Sequence, residues 1–383
     1  MDTDLPPGLA TLLAQANLFI DPATGAVTPP IVPATTYARD AHYELRAGGL
    51  SYSRDQNPSY AQVEALLSRL EGGAAAMLFS SGMAAATALF QTLESEHHVV
   101  APLIMYHGLR DWLNHFCHTR GVALDYFDAA QPGSLERAVR PGHTKLVWIE
   151  TPANPTWDIT DIAAAARLAH QAGARLGVDS TVATPVLTRP LENGADFVFH
   201  SATKFLNGHS DVVAGALISR VQDEWWDAIR FQRHAGGGVL GSFETWLLLR
   251  GMRTLHLRVR EACTSAARIA HHFHDHKKID RVLYPGLAHH PGHAVATRQM
   301  HGGYGAMLSL LIKGGAREAR AFAARTRVFV PATSLGGVES LVEHRASVEG
   351  PNSPVPPNLV RLSVGIEDVD DLIADLERTL AVI

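Results

Sequence analysis

The chain has 383 residues, 46% of them hydrophobic, so it can bury a large core and form two or three domains. Its net charge is −5 with no long basic block, which argues against a nucleic-acid-binding protein. No apolar run is long enough to span a bilayer, and the N-terminus lacks the features of a signal peptide. We therefore expect a cytoplasmic protein that binds neither nucleic acid nor membrane.

Residues 1–45 are rich in proline and show little periodicity, which predicts an extended N-terminal arm. Such an arm is poorly stable alone. Ile31, Val32 and Tyr37 give it apolar surface to bury, which favours an arm that lies across a partner subunit over a frayed terminus.

In residues 46–235, short apolar runs alternate with helical segments. The expected strands are 76–79, 99–101, 146–149, 176–178 and 197–199. The expected helices are 61–70, 83–93 and 161–171. Continuous apolar strands separated by helices predict a large α/β domain with a mostly parallel central sheet.

The pattern changes after three consecutive glycines at 236–238, and we place a smaller C-terminal α+β domain at 236–383. A long helical stretch at 244–268 is interrupted at Gly251. Two strands are expected at 307–312 and 359–364, and an amphipathic helix at 368–380 closes the chain.

The segment after strand 197–199 carries the most informative chemistry. Lys204 follows two hydroxyl residues, Ser201 and Thr203, and Asp179 follows strand 176–178. Pyridoxal phosphate (PLP) needs a lysine amine for its aldehyde, donors for its phosphate and an acid for its pyridine nitrogen. Ligands of parallel sheets bind beyond the carboxyl ends of the strands, where Asp179 and Lys204 are both expected.

Further candidates have weaker signals. Gly82 and Met83 open a helix after a strand, where backbone N–H groups can bind a phosphate. Tyr106 follows strand 99–101 and can stack on the cofactor ring. Asn154 lies in a loop after strand 146–149 and can bind the phenolic oxygen of the cofactor or a substrate carboxylate.

Two more segments contain arginine. Tyr52 and Arg54 offer a phenol and a guanidinium for a phosphate. Arg361 lies within an apolar strand and needs an anion, such as a substrate carboxylate or a structural carboxylate. Each candidate alone has an ordinary explanation as a turn, core or surface residue. The prediction of a PLP site rests on their occurrence together at one edge of the predicted sheet.

Taken together, these segments resemble the Cys/Met-metabolism family of PLP enzymes, which includes cystathionine γ-synthase, cystathionine β- and γ-lyases and methionine γ-lyase. The resemblance covers nearly the whole chain. The matching segments are 24–27, 52–54, 81–84, 154–156, 179–181, 200–204, 284–287, 298–300, 334–340 and 361–368.

The resemblance implies a fold-type I, aminotransferase-like fold and a homotetramer, a dimer of dimers whose active sites are shared across subunits. Lys204 would carry the Schiff base, Asp179 would pair with the pyridine nitrogen and Tyr106 would stack on the ring. The phosphate would be held by Gly82, Met83, Ser201 and Thr203, and by Tyr52 and Arg54 of the neighbouring subunit. The carboxylate of the substrate would be received by Arg361, Ser334 and Asn154.

Several positions depart from the family pattern. The segment after Tyr106 reads His107-Gly108-Leu109-Arg110 instead of the usual Gly-Gly-Thr type. Thr333 stands where family members that handle cystathionine often have glutamate, and residues 345–350 replace a familiar Thr-His. These departures indicate a divergent subfamily whose substrate need not be cystathionine.

We therefore expect γ-elimination or γ-replacement on a γ-substituted L-amino acid, in transsulfuration-type chemistry or with a non-sulfur leaving group such as that of canavanine. In this reading Lys204 moves the Cα proton and Tyr106 handles protons on the amine or leaving group. The alternatives are β-elimination and a catalytically silent PLP-binding protein. The histidines at 271–276 are expected at a solvated helix end, so we predict no metal site.

Overall fold

The computed structural model describes residues 7–46, 48–350 and 353–383. The helices are α1 Leu9–Ala14, α2 Pro58–Glu71, α3 Gly82–Phe90, α4 His107–Arg120, α5 Ser134–Ala138, α6 Ile162–Gln171, α7 Thr184–Leu187, α8 Glu224–Gly236, α9 Ser242–Met252, α10 Leu255–Phe273, α11 His293–Gln299, α12 Ala316–Ala323, α13 Arg345–Glu349 and α14 Val369–Ala381. The strands are β1 Ala75–Phe79, β2 His98–Pro102, β3 Ala123–Phe127, β4 Thr144–Glu150, β5 Arg175–Asp179, β6 Phe197–His200, β7 Gly215–Ser219, β8 Ile279–Leu283, β9 Met307–Ile312, β10 Val330–Pro331, β11 Leu341–His344 and β12 Leu359–Ser363. In the described ranges no helix combines the length and apolar character that a membrane crossing requires.

Contacts divide the chain into two compact units. The first contains the described residues up to Leu93 together with Asp196–His256, and the second contains Glu94–Ala195 and Leu257–Ile383. The domains expected from the sequence, 1–45, 46–235 and 236–383, are continuous stretches of the chain, unlike these two units. The expected domain boundaries stay a prediction.

In the first unit, β7 pairs antiparallel with both β1 and β6. Helix α2 packs on β1, and α3 packs on β7. Helix α2 begins at Asn57, whose side chain accepts the Ser59 N–H, and ends at Gly72 in a left-handed conformation. The lysine segment at 201–208 follows β6 directly.

The N-terminal segment contains a helix that the sequence analysis missed. Residues 9–14 form α1, and Leu12 and Leu13 are buried there. Helix α1 packs against α2. A six-residue helix has almost no periodicity to detect, and its stability comes from this packing.

The second unit contains four parallel strands in the order β5-β4-β2-β3. The cores of β2 and β4 are fully buried, as their unbroken apolar runs predict. Helix α6 packs on β4 and β5 and begins at Asp161, whose carboxylate accepts the Ala164 N–H at 2.9 Å. Glu150 and Asp179 are register partners at the carboxyl ends of β4 and β5.

A second sheet in the same unit has the order β10-β11-β12-β9-β8. It is antiparallel except for the short β10–β11 pair. Glu343 on β11 lies opposite Arg361 on β12, so a carboxylate and a guanidinium meet inside the sheet. Apolar side chains from α10, α12 and α14 cover this sheet, among them Phe273, Phe322 and Leu372.

The apolar runs at the expected strands are confirmed, although most observed strands extend one or two residues further. The helical stretch expected at 244–268 is two helices, α9 and α10, separated by Arg253 and Thr254. The break follows Gly251, whose α-carbon lies so close to Asn207 that an added Cβ would be 2.1 Å from the Asn207 carbonyl oxygen.

Asp375 on α14 supplies a stability prediction. Its buried carboxylate accepts backbone N–H groups from Arg327, Val328 and Phe329 at 2.8–3.0 Å and also pairs with Arg378. Burial opposes ionisation, but these hydrogen bonds outweigh it and lower the pKa of Asp375.

We expect Asp375→Asn to destabilise the protein by about 2 kcal/mol, because an amide offers one acceptor oxygen and adds an unmatched donor. A lowered pKa stabilises the fold above the unfolded-state value, so the difference from wild type should shrink as pH falls below about 4. Urea unfolding at several pH values measures this. Asp371→Asn, at an exposed position of the same helix, is the control. An equal loss in both variants would contradict the capping role of Asp375.

Candidate active site

The backbone of the lysine segment is fixed by short-range hydrogen bonds. The Lys204 N–H donates to the Ser201 carbonyl at 3.0 Å, and the Lys204 carbonyl accepts the Gly208 N–H at 2.8 Å. Gly251 of α9 packs directly on Asn207 in this segment, leaving no space for a Cβ. The lysine is therefore presented from a rigid turn.

The strand before this turn is anchored by a buried pair of side chains. His200, the last residue of β6, and Glu71, at the end of α2, are both fully buried, and their side chains are 2.6 Å apart. A hydrogen bond shielded from water in this way is worth more than an exposed one. It fixes the strand end from which the lysine segment starts.

The N-terminus of α3 presents backbone N–H groups beside Ser201. The Ser81 side chain caps the helix by accepting the Ala84 N–H at 3.0 Å, and the Ser81 carbonyl accepts the Ala85 N–H. The N–H groups of Gly82 and Met83 therefore lie outside the helical ladder. A Cβ on Gly82 would be 2.9 Å from the Ser201 hydroxyl oxygen, so the serine lies directly against this helix end.

Three other phosphate candidates differ in their surroundings. The Thr203 hydroxyl donates to the Ala214 carbonyl at 3.1 Å and accepts the Ala214 N–H at 2.9 Å, so it also holds the lysine segment. Tyr52 and Arg54 are exposed within the chain, and the guanidinium carbon lies 5.4 Å from the centroid of the Tyr52 ring. Both side chains are therefore accessible to a ligand.

In the second unit, two carboxylates lie side by side at the strand ends. Asp179 is buried, and its Oδ1 accepts the Thr181 N–H at 2.9 Å. Beside it, Glu150 accepts the Tyr106 N–H at 2.9 Å and the Asn154 N–H at 2.8 Å, one on each oxygen. Glu150 therefore fixes the backbones of two predicted site residues.

The electrostatics of this pair favour a proton on Glu150. Burial, and then the charge of Asp179, raises the pKa of Glu150 to about 8 against the opposing effect of its hydrogen bonds. A protonated Glu150 places no like charge beside Asp179. A charged aspartate is the form that would pair with a protonated pyridine nitrogen.

Three predicted substrate-binding residues meet in the second unit. Arg361 donates from Nη1 to Asn154 Oδ1 at 3.2 Å and from Nη2 to the Ser334 carbonyl at 2.7 Å. Its Nη2 also pairs with Glu343 at 2.9 Å. Ser334 has φ of 84°, a conformation that serine rarely adopts and that points to a constraint at this site.

The guanidinium of Arg361 has an unused donor. Its Nε is buried and has no hydrogen-bond partner among the described residues. Burial lowers the pKa of Arg361 to about 10, so the group stays charged at neutral pH. A carboxylate is the group that would satisfy Nε, since it accepts hydrogen bonds and carries the opposite charge.

Glu150, Glu343 and Arg345 were not predicted as site residues from the sequence. Glu150 ends an apolar strand in the same way as Asp179, and this signal was available. Glu343 and Arg345 gave no such signal, because their importance comes from contacts with Arg361 and His107, far away in the chain. In the described ranges, no group of three His, Cys, Asp or Glu side chains is placed to hold a metal ion.

Comparisons with known proteins identify the family. The sequence pattern of the Cys/Met metabolism PLP-dependent enzymes matches residues 10–381. The chain belongs to this family.

Similar members and structures agree with this assignment. The chain is 44% identical to the cystathionine γ-synthase of Mycobacterium tuberculosis (strain ATCC 25618 / H37Rv) over 379 residues, 97% of each chain. It is 39% identical to the cystathionine γ-lyase of Bacillus subtilis (strain 168) over 381 residues, 97% of this chain and 98% of the relative. The crystal structure of metB from Corynebacterium glutamicum superposes with a TM-score of 0.94 at 38% identity and 98% coverage of both chains.

The expected fold and cofactor are thereby confirmed. The protein is a PLP-dependent enzyme with a fold-type I, aminotransferase-like α/β fold and a mostly parallel central sheet. Its residues fit the cofactor, because Gly82 leaves a space beside Ser201 that a Cβ would fill. Asp179 is a buried acid at a strand end, and Lys204 stands on a rigid turn.

Gly82→Ala tests the phosphate site. We expect PLP affinity to fall roughly ten- to a hundredfold, because the new methyl group meets the Ser201 hydroxyl and displaces it from the helix end. Equilibrium dialysis with absorbance of the bound cofactor measures the change. Gly236→Ala is the control, since a Cβ there meets nothing within 4 Å. Unchanged affinity in Gly82→Ala would place the phosphate elsewhere.

Proposed function

We propose that this enzyme catalyses γ-elimination or γ-replacement on a γ-substituted L-amino acid. The observation that carries the proposal is the buried Nε of Arg361, which lies beside Asn154 and Ser334 and lacks an acceptor in the described structure. This arrangement suits the α-carboxylate of an amino acid. The relatives named as a γ-synthase and a γ-lyase support chemistry at the γ-carbon.

In this proposal, Lys204 is the residue that bonds to the cofactor aldehyde. PLP, when bound, withdraws electrons from the α-carbon of an amino acid and so makes its proton removable. The Lys204 amine would move that proton, which suits a group presented from a rigid turn. A second proton must then leave the β-carbon, and its electron pair expels the γ-substituent. Asp179 would pair with the pyridine nitrogen of the cofactor.

Four further residues orient the substrate or exchange a proton with it. Arg361, with Asn154 and Ser334, binds the α-carboxylate and so fixes the orientation of the amino acid. The Tyr106 ring would stack on the cofactor, and its hydroxyl would exchange a proton with the incoming amine or the leaving group. Glu150 keeps Tyr106 at this position through the backbone hydrogen bond.

We also propose the shared phosphate site and the homotetramer implied by the family resemblance. Gly82, Met83, Ser201 and Thr203 bind the phosphate of their own chain, and Tyr52 and Arg54 reach that of a neighbouring subunit. The exposure of both side chains supports the second role.

Borohydride reduction tests the role of Lys204. We expect the reduced cofactor on Lys204, in a tryptic peptide that continues through Phe205 to Arg220 because trypsin does not cleave after a modified lysine. Lys204→Ala should lower turnover by roughly 10²–10⁴-fold or more, since both anchor and base are lost. Lys277→Ala, at an exposed lysine, is the control. A label on any other lysine would contradict the assignment.

The reaction itself is tested by its products. The purified holoenzyme is incubated with O-acyl- and O-phosphohomoserine, cystathionine, methionine, homocysteine and canavanine, with and without an added thiol. We expect release of a four-carbon 2-oxo acid, or a thioether product when thiol is present. Exclusive release of pyruvate would show β-elimination instead. A cofactor spectrum that no amino acid changes would indicate a silent PLP-binding protein.

A further inference from the structure

His107, at the start of α4, is held in one tautomer by an arginine. Its Nδ1 lies 2.7 Å from Arg345 Nη2. A guanidinium can only donate hydrogen bonds, so Nδ1 must be the acceptor. The imidazole is therefore neutral, and its proton is on Nε2.

Arg345 itself is rigidly bound. It is 2% exposed, its Nε pairs with Glu349 at 2.8 Å, and its Nη1 pairs with Glu343 at 3.0 Å. The Ser353 hydroxyl donates to the other oxygen of Glu349 at 2.8 Å. Every nitrogen of the guanidinium thus has a partner, and the donor that faces His107 cannot turn away.

The charges around His107 also keep the ring neutral. Burial, and then the positive charge of Arg345, lowers the pKa of His107. Glu349, Asp111 and Glu343 act in the opposite direction but do not outweigh them. The hydrogen bond of the His107 ring in the described structure is the one at Nδ1, and the residue is partly exposed, so the Nε2–H donor is accessible to a ligand.

Contacts of Arg345 and His107 connect Arg361 with Tyr106, and both of these residues belong to the proposed active site. Glu343 Oε2 binds both Arg345 and Arg361. At the other end, the His107 ring lies edge-on to the Tyr106 ring, with centroids 5.0 Å apart and an angle of 64° between the planes. His107 thus stands next to the residue proposed to act at the leaving group. The two segments that depart from the family pattern, 107–110 and 345–350, supply both partners of the 2.7 Å contact.

We propose that His107 is a specificity-determining residue whose Nε2–H donates a hydrogen bond to an acceptor oxygen on the γ-substituent of the substrate, and that Arg345 is its positioning residue. This inference rests on the proposed γ-chemistry. A neutral N–H donor distinguishes γ-substituents by their acceptors. An ester oxygen accepts well, whereas a thioether sulfur accepts only weakly. The pair therefore favours oxygen-linked over alkylthio γ-substituents.

Kinetics with two substrates test the donor. The holoenzyme is assayed with O-acetyl-L-homoserine and with L-methionine, and kcat and KM are measured separately. We expect His107→Leu to lower kcat/KM for the ester by about tenfold and to change that for methionine by less than about twofold. His107→Gln should recover part of the loss, because its amide can donate from a similar position. Equal losses on both substrates, or none on the ester, would overturn the proposal.

Nitrogen-15 NMR of histidine-labelled holoenzyme tests the tautomer independently of turnover. The His107 signal, assigned by its absence from His107→Gln, should show a neutral ring protonated on Nε2 at pH 7. In Arg345→Met, the His107 ring should become protonated at a higher pH than in wild type. Arg317→Met is the control. The Arg317 side chain is 88% exposed, and its replacement should leave the titration of His107 unchanged. A ring protonated on Nδ1, or charged at pH 7 in wild type, would overturn the inference.

The proposed function and the proposed role of His107 are refuted by different results. If none of the γ-substituted amino acids named above yields a four-carbon 2-oxo acid, or a thioether product with added thiol, the proposed function is wrong, and the NMR result still decides whether Arg345 sets the tautomer of His107. If both substrates are turned over and His107→Leu affects them equally, the function stands and the specificity role of His107 is wrong. The cofactor absorbance of each variant verifies that it is folded and loaded.

Discussion

The structure of the second unit depends on one carboxylate oxygen that binds two buried guanidinium groups. Glu343 Oε2 lies 3.0 Å from Arg345 and 2.9 Å from Arg361, and all three residues are at most 5% exposed. Without Glu343, two buried positive charges would lose a shared partner, at a cost of about 3–5 kcal/mol or more. This interaction keeps Arg361 charged and oriented in the absence of a substrate.

The local charge balance bears on ligand binding. Arg345 and Arg361 carry two positive charges, which Glu343 and Glu349 neutralise, and Arg110 lies 3.9 Å from Glu349 as a third cation. One additional carboxylate therefore completes the balance of this cluster, and the unpaired Nε of Arg361 is a donor for it. The cluster combines two properties of a good carboxylate site, an available hydrogen bond and an uncompensated positive charge.

In the first unit, close backbone packing replaces charge as the main constraint. The turn that carries Lys204 is bounded on one side by α9, which approaches at Gly251, and on another by the start of α3, which approaches at Gly82. A Cβ at Gly251 would overlap the Asn207 carbonyl group, and a Cβ at Gly82 would press on the Ser201 hydroxyl. A rigid turn loses little conformational freedom when its lysine becomes bonded, which is the physical advantage of building a covalent site in this way.

The sequence by itself determined seven of the strands and the residues at their ends. Strands β3, β7, β8, β10 and β11, and the order of the strands within the sheets, came only with the tertiary structure. Unbroken apolar runs mark buried parallel strands, so Asp179 and Lys204 could be assigned to the same kind of position. The family resemblance then supplied the roles of these residues. Only the tertiary structure decided the pairs Glu343–Arg361, Arg345–His107 and Glu150–Tyr106. These partners are distant in sequence or depend on the register of one strand against another, and neither periodicity nor local propensity contains that information. The tertiary structure also decided the tautomer of His107, because the tautomer follows from a contact between residues 238 positions apart.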